Sequence, residues 1–324
     1  MAKNKAQSPV LDWGQSGGDF CNLAGERPLL ILGSREISAQ RVTRLSQQLI
    51  TNTGKTLVWG CLEEKYILGL ENSPQFRALS LEKLLAGIEL LEEEQQQKVL
   101  ILQYPQPLAP KIITEGSWSG VIGINGSWHR AFHYRDEYQA IKKKKLKHKL
   151  VSAFNNEVEA KQYEQQLLAE LGEFPAAAGD KYDEEGFFKL VDEAARRSFD
   201  HTWQTGAVLS KNGKFLLAAH NRVVPFETFA LLHGASKEKH LTPPQDLNHY
   251  DTNHAEVELV LQALKKGISL EGCSLYINLM PCPICARMLM RTGVKEIVYK
   301  LEHSDGYAQA VLKAANVRIR KTMS

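Results

Sequence analysis

The last fifty residues of this chain constrain its architecture more than any other stretch. SLYINL (274–279), CPICARMLMRTG (282–293), EIVYKL (296–301), DGYAQAVLKAAN (305–316) and VRIRK (317–321) alternate strand-like and helix-like patterning. A helix between the final two strands makes them parallel, because such a crossover joins parallel neighbours. Upstream, EEGFFKLVDEAARRSF (184–199) places Phe187, Leu190, Val191, Ala194 and Ala195 on one helical face. TGAVLSKNGKFLLAAHN (205–221) reads as a hairpin turning at Asn212-Gly213. In HAEVELVLQALKKG (254–267), Val257, Val260, Leu261 and Leu264 predict the inward face, and Gly267 the stop. The order α-β-β-α-β-α-β-α-β predicts an α/β domain over 181–324, with a five-stranded mixed sheet and helices on both faces.

A chain of 324 residues suggests about two domains. Residues 1–27, rich in Gly, Ser and Asn, read as a flexible arm. Residues 28–140 read as a smaller, Rossmann-like α/β domain of open role: LLILG (29–33), a helix over 38–54 ended by Gly54, TLVWGCL (56–62), a helix near 80–95, VLILQY (99–104) and GVIGING (120–126). Residues 141–180 read as a helical, basic connector opening with KKKKLKHK (142–149), with a domain boundary expected near FPAAAGD (174–180).

Several local signals in this half stay weak. Thr53-Gly54-Lys55-Thr56 is no P-loop, because Leu49 replaces the required Gly and the segment ends a helix instead of opening one. Gly33-Ser34-Arg35 is better read as an ordinary strand-to-helix turn than as a phosphate cradle. The 142–149 run is read as a solvated face before a nucleic-acid stripe, given a formal net charge of only +3, and Trp118, Trp128 and Tyr134 beside it as core.

With 43% hydrophobic and 24% charged residues, the composition is that of an ordinary globular protein. MAKNKAQSPV has no signal-peptide core, and no apolar run reaches the roughly 18 residues of a membrane span. The expectation is a cytoplasmic chain with reduced thiols and no membrane association. Of five cysteines, Cys21, Cys61 and Cys273 are scattered and read as small buried hydrophobes.

Cys282 and Cys285 are different, because each stands at the start of a helix three residues from the other. Helix N-termini favour thiolates. His254 and Glu256 open another helix. One His and two Cys suit tetrahedral zinc with a fourth position open, the arrangement of a catalytic rather than a structural ion. Zinc brings the pKa of a bound water to about 7, and Glu256 follows His254 too closely to be an obvious fourth ligand. It is placed to take a proton.

His254-Ala255-Glu256 followed by Pro281-Cys282-Pro283-Ile284-Cys285 matches the H-x-E…P-C-x-x-C signature of zinc nucleobase deaminases. Residues 184–321 thus resemble the cytidine and deoxycytidylate deaminase superfamily. The His in the first motif is similar to the deoxycytidylate and tRNA-adenosine branches. Gly206-Ala207-Val208 with His220-Asn221-Arg222-Val223-Val224-Pro225 resembles the G-A-V…Y-N-G-x-P segment of deoxycytidylate deaminases, and GVKEIVY (293–299) with ANVRIR (315–320) resembles their ending.

The resemblance implies a three-layer α/β/α cytidine-deaminase fold and a hydrolase acting on a cyclic amidine C–N bond. Its ion is one zinc held by His254, Cys282 and Cys285, with Glu256 catalytic and no organic cofactor. Asn221 would contact the substrate sugar, and Ala255 is placed with it as substrate-binding. The implied substrate is a small-molecule cytosine nucleotide, dCMP foremost, with a base in tRNA or DNA as the alternative, a non-catalytic binding module as the third reading, and a homo-oligomer as the expected assembly. Three features depart from the pattern: Met280 stands where Glu or Ser is usual, His220 and Arg222 replace Tyr and Gly, and 226–250 lacks the cysteines of a second zinc site while holding His233, His240 and His249. Isolated loop histidines of that kind are more often solvated than ligating.

Overall fold

The computed structural model describes residues 10–13, 27–33, 37–63, 79–91, 93–96, 98–125, 135–200, 203–236, 251–303 and 306–322. Two compact units divide the chain: Met1–Ala160 with Phe229–His249, and Lys161–Thr228 with Tyr250–Ser324.

The first unit is built on β1 (Val10–Asp12), β2 (Leu29–Leu32), β3 (Leu57–Leu62), β4 (Val99–Tyr104), β5 (Gly120–Ile124) and β6 (His148–Val151). They form a six-stranded sheet in the order β1-β4-β3-β2-β5-β6, parallel throughout. Every residue of β2, β3 and β5 is buried, as expected of parallel strands with both faces covered. Each fully buried Leu or Ile among them contributes about 1.5–3 kcal/mol of hydrophobic transfer.

Helix α1 (Ala39–Thr53) starts where Ser38 accepts from Arg41 N and stops where Gly54 turns left-handed at φ 62°. Helices α2 (Leu81–Glu89), α3 (Ala109–Glu115) and α4 (Asp136–Lys143) follow. From β2 the strands step one way to β3 and β4, then restart at β5 on the other side, which makes the β2–β5 boundary a topological switch point.

Three local readings change here. Part of the expected arm is sheet, since Val10–Asp12 pairs with β4 and Trp13 is 4% exposed. The expected helical connector splits: α4 ends at Lys143, and His148–Val151 becomes the edge strand β6. The basic run that supplies both the end of α4 and the start of this edge strand has the polar composition of a solvated helix face, so composition alone could not separate them. The division into units falls between Ala160 and Lys161, inside α5 (Glu157–Glu170), and not near 174–180. Trp118 is core as expected, fully buried with Nε1 donating to Ile112 O at 3.0 Å.

The second unit begins with α6 (Glu184–Ala195), capped by Asp183 accepting from Gly186 N. The expected apolar residues of that helix are all buried. Strands β7 (Gly206–Lys211), β8 (Lys214–His220), β11 (Ser274–Leu279), β12 (Glu296–Leu301) and β13 (Arg318–Lys321) form a five-stranded mixed sheet in the order β13-β12-β11-β7-β8. Asn212 and Gly213 turn the β7–β8 hairpin with φ of 53° and 72°. β11, β12 and β13 run parallel, as the crossover argument requires.

Gly206 opens β7 because a Cβ there would stand 2.0 Å from Val191 O and 2.6 Å from Ala195 N. Between hairpin and crossover lie the short strands β9 (Arg222–Val223) and β10 (Thr252–Asn253), which pair antiparallel. The chain between them contributes α7 (Phe229–His233) to the first unit, where Ser152 Oγ and Asn125 Nδ2 donate to Leu231 O and Leu232 O. Helices α8 (Ala255–Lys266), α9 (Pro283–Leu289) and α10 (Tyr307–Ala314) complete the second unit.

The expected inward face of α8 is rotated. Leu264 is 76% exposed and Leu261 39%, while Ala255, Glu256, Glu258, Leu259 and Ala263 are buried. Apolar periodicity misread this helix because two of its buried positions are carboxylates.

Candidate metal centre

His254 is the N-cap of α8 and Cys282 the N-cap of α9, and neither side chain caps its own helix. Pro283 at the first helical position of α9 carries no N–H, so nothing is lost there. Freed from capping, the two side chains meet Cys285 from the first turn of α9. Nδ1 of His254 lies 3.5 Å from Cys282 Sγ and 3.4 Å from Cys285 Sγ. The three ligand atoms all lie within 4.8 Å of one another, and among the described residues this is the one such group suited to a metal ion. Tetrahedral geometry with Zn–N of about 2.0 Å and Zn–S of about 2.3 Å sets N and S about 3.5 Å apart, so the donor set and its spacing fit zinc.

The three groups compete for protons. The Cys282 thiol is drawn down to about 3 by the hydrogen bond from Cys285 and then by His254. Cys285 is pushed up, first by that hydrogen bond to Cys282 and then by burial. His254 is raised, chiefly by its hydrogen bond with Cys282. Two thiols sharing protons beside an imidazole are the protonated counterpart of a metal-ligand set.

Glu256 sits in the first turn of α8 at 3% exposure, and burial pushes its carboxyl up to about 7, with the Cys285 thiol hydrogen-bonded to it. A carboxyl tuned near neutrality beside three ligand-type groups is the expected signature of proton transfer. Ala255 has 0% exposure and belongs to the core with Leu259 and Leu275.

Asn221 is 5% exposed at the β8–β9 turn. Its Oδ1 accepts from Thr205 N at 2.7 Å and its Nδ2 donates to Trp203 O at 2.7 Å. Its backbone is held as well, with Ser198 Oγ donating to Asn221 O at 2.9 Å. One further bond at Oδ1 and one at Nδ2 remain within the capacity of an amide. The ladder β9–β10 sets Arg222 opposite Asn253, one residue before His254.

Residues without any sequence signal support the site. Asp200, 4% exposed, accepts from Trp203 N at 3.1 Å and from Thr252 Oγ1 at 2.8 Å, and its charge acts on His254. Asn278 accepts from Gly206 N at 3.0 Å and donates to Gln204 O at 2.8 Å. Asn253 Nδ2 donates to the buried Glu258 at 2.9 Å. These are tertiary bonds between loops, and no spacing rule announces them.

His233 is exposed on α7 in the first unit, against the Phe229 ring, and is not part of the trio. The 142–149 run is largely exposed, with Lys144 Nζ donating to Gly116 O at 2.6 Å. Cys61 and Cys273 are buried as expected. Ser34, Arg35, Cys21, Trp128, Tyr134, His240 and His249 lie outside the described residues. No described helix is long and apolar enough to cross a membrane.

The C-terminal half of the chain is similar to known deaminases. A family described as MafB19-like deaminase matches residues 182–324. An uncharacterized deaminase of Aliivibrio fischeri is 31% identical over 121 residues, covering 37% of this chain and 74% of that protein. The deoxycytidylate deaminase of Enterobacteria phage T2 is 28% identical, covering 30% of this chain and 69% of its own length. A solved dCMP deaminase from cyanophage S-TIM5, in complex with dCMP and dUMP, is 26% identical over 43% of this chain and 96% of that one, with a TM-score of 0.36. On its motif residues and its sequence relatives, this chain is a hydrolytic deaminase and belongs to the cytidine and deoxycytidylate deaminase superfamily.

Proposed function

We propose that the chain is a zinc-dependent deaminase that converts dCMP and water to dUMP and ammonia. The observation that carries this reading is the trio His254, Cys282 and Cys285 at zinc-ligand spacing with the buried Glu256 beside it. The preference for dCMP rests on relatives named deoxycytidylate deaminase, from phage T2 at 28% identity to Homo sapiens at 27%.

His254, Cys282 and Cys285 would hold the zinc, which would supply a Lewis acid that activates water at neutral pH. The protein's own share is proton movement and placement. Glu256 takes a proton from the attacking water and delivers it to the ring nitrogen beside C4, and then carries the remaining proton of the added hydroxyl to the amine as the C4–N bond breaks and ammonia leaves. One carboxyl near neutrality serves both directions. Asp200 steadies His254 through its charge, and Asn221 uses its remaining amide capacity on the sugar.

A base within tRNA or DNA is the second reading, favoured by one observation: Lys142, Lys143, Lys145, Lys147, His148 and Lys149 are exposed together. Ammonia release from dCMP, dCTP, CMP, deoxycytidine and a tRNA pool separates the two. The expected result is turnover of dCMP, and reaction of the polymer alone would replace it with the second reading.

A further inference from the structure

The Asn221 turn departs from the family pattern at both neighbours, and the structure shows what His220 and Arg222 do there. Glu227 is 4% exposed and is met from three sides. His220 Nε2 lies 3.1 Å from its Oε1, Arg222 Nε lies 3.5 Å from the same oxygen, and Val223 N donates to Oε2 at 3.1 Å. The carboxylate charge is thus divided among three donors inside the protein and is not presented to solvent.

The Arg222 side chain is 48% exposed; besides Glu227 its charge acts on Glu164, and among the described residues the side chain makes no other ion pair. Its position in the fold is definite. It follows Asn221 directly, and the β9–β10 register sets it across from Asn253, whose neighbour is His254. A half-exposed guanidinium steadied at Nε by a buried carboxylate keeps its two terminal nitrogens as a planar fork. Such a fork matches a phosphate in two parallel hydrogen bonds, and steadying it beforehand reduces the rotamer entropy lost on binding.

We propose that Arg222, propped by Glu227, binds the phosphate of the substrate and separates nucleotide from nucleoside in this enzyme. The inference rests on the reading of a cytosine nucleotide as substrate. It also accounts for Arg at a position where the family pattern has Gly: the turn exchanges a flexible residue for a cation, and Glu227 supplies the counter-charge that holds it.

The test uses the zinc-loaded full chain and compares wild type, Arg222→Gln and Glu227→Gln. Steady-state kinetics on dCMP and deoxycytidine give the ratio of their kcat/KM values, and equilibrium binding of dUMP and deoxyuridine gives the same preference without turnover. Loss of a charge-assisted bond predicts that Arg222→Gln lowers the dCMP-to-deoxycytidine ratio by about ten-fold or more, mainly through KM. Glu227→Gln shifts the ratio the same way by less.

An Arg222→Gln variant that changes both substrates by one factor shows a strut and no more, and overturns the proposal. Wild type that treats dCMP and deoxycytidine alike also overturns it, yet leaves cytosine deamination standing. If wild type turns over no cytosine monomer, the substrate reading fails. The Arg222 proposal then survives only if dUMP binds more tightly than deoxyuridine and Arg222→Gln removes that difference, and it falls if the two bind alike.

Discussion

Two regions of the second unit follow opposite plans: the His254, Cys282 and Cys285 trio, and the turn from His220 to Glu227. In the trio, like groups face one another and compete for protons, so Cys282 is drawn down to about 3 while Cys285 is pushed up. In the turn, donors and acceptors are matched, with Asn221 bonded to Thr205 and Trp203 and Glu227 to Val223 and His220. Matched polar groups hold a backbone in one shape, whereas groups in competition are poised for another partner. On the function proposed above, the trio would carry the chemistry and the turn stability and placement. Substitutions should therefore report on different observables in the two places.

The sharpest separation is expected at Cys282. Cys282→Ser should leave the thermal transition of the metal-free protein nearly unchanged, yet bring zinc content below stoichiometry and deamination to background, because a hydroxyl is a poor substitute for a thiolate ligand. Elemental analysis with an ammonia assay checks it, and full activity in this variant would erase the contrast. Next comes Glu256→Gln, which should retain zinc while kcat falls by about 10²–10⁴-fold, the usual weight of a general acid–base group. Zinc loss in step with activity would instead make Glu256 part of the ligand set.

On the other side, Asn221→Ala leaves Thr205 N and Trp203 O without their partner, at about 1–3 kcal/mol for each buried group. Denaturant unfolding should show that loss together with a higher KM. An unchanged midpoint would mean that the turn is not held by this amide. The mildest change is Ser198→Ala, which removes the bond to Asn221 O and the one that Ser198 Oγ accepts from Asp200 N. It should cost about 1 kcal/mol of stability with little effect on zinc content.

The same division runs through what could be read in advance. The hairpin at Asn212-Gly213, the strand SLYINL and the Cys282/Cys285 pair were legible because each rests on neighbours within a few positions, the parallel β12–β13 pair because a crossover helix fixes its sense, and His254 because its residue type completes the cysteine pair as a ligand set. A left-handed turn wants Asn-Gly, and ligands three apart at a helix start share a face. The buried face of α8 was not legible, since Glu256 and Glu258 lie inside while Leu264 is 76% exposed. Nor was β6, an edge strand that begins inside the basic run, nor the departure of α7 from one unit to join the other.

By itself, the order of residues determined the layered α/β plan of both halves, the trio and the carboxylate beside it, because these follow from local geometry and from ligand chemistry. Only the tertiary structure decided that Asp200 acts on His254, that Asn221 is bonded to the 203–205 loop, and that Glu227 reaches back to His220 and Arg222. The physical reason is that a buried polar group must find its partner wherever the fold brings one, and hydrogen-bond satisfaction across loops has no period in the chain.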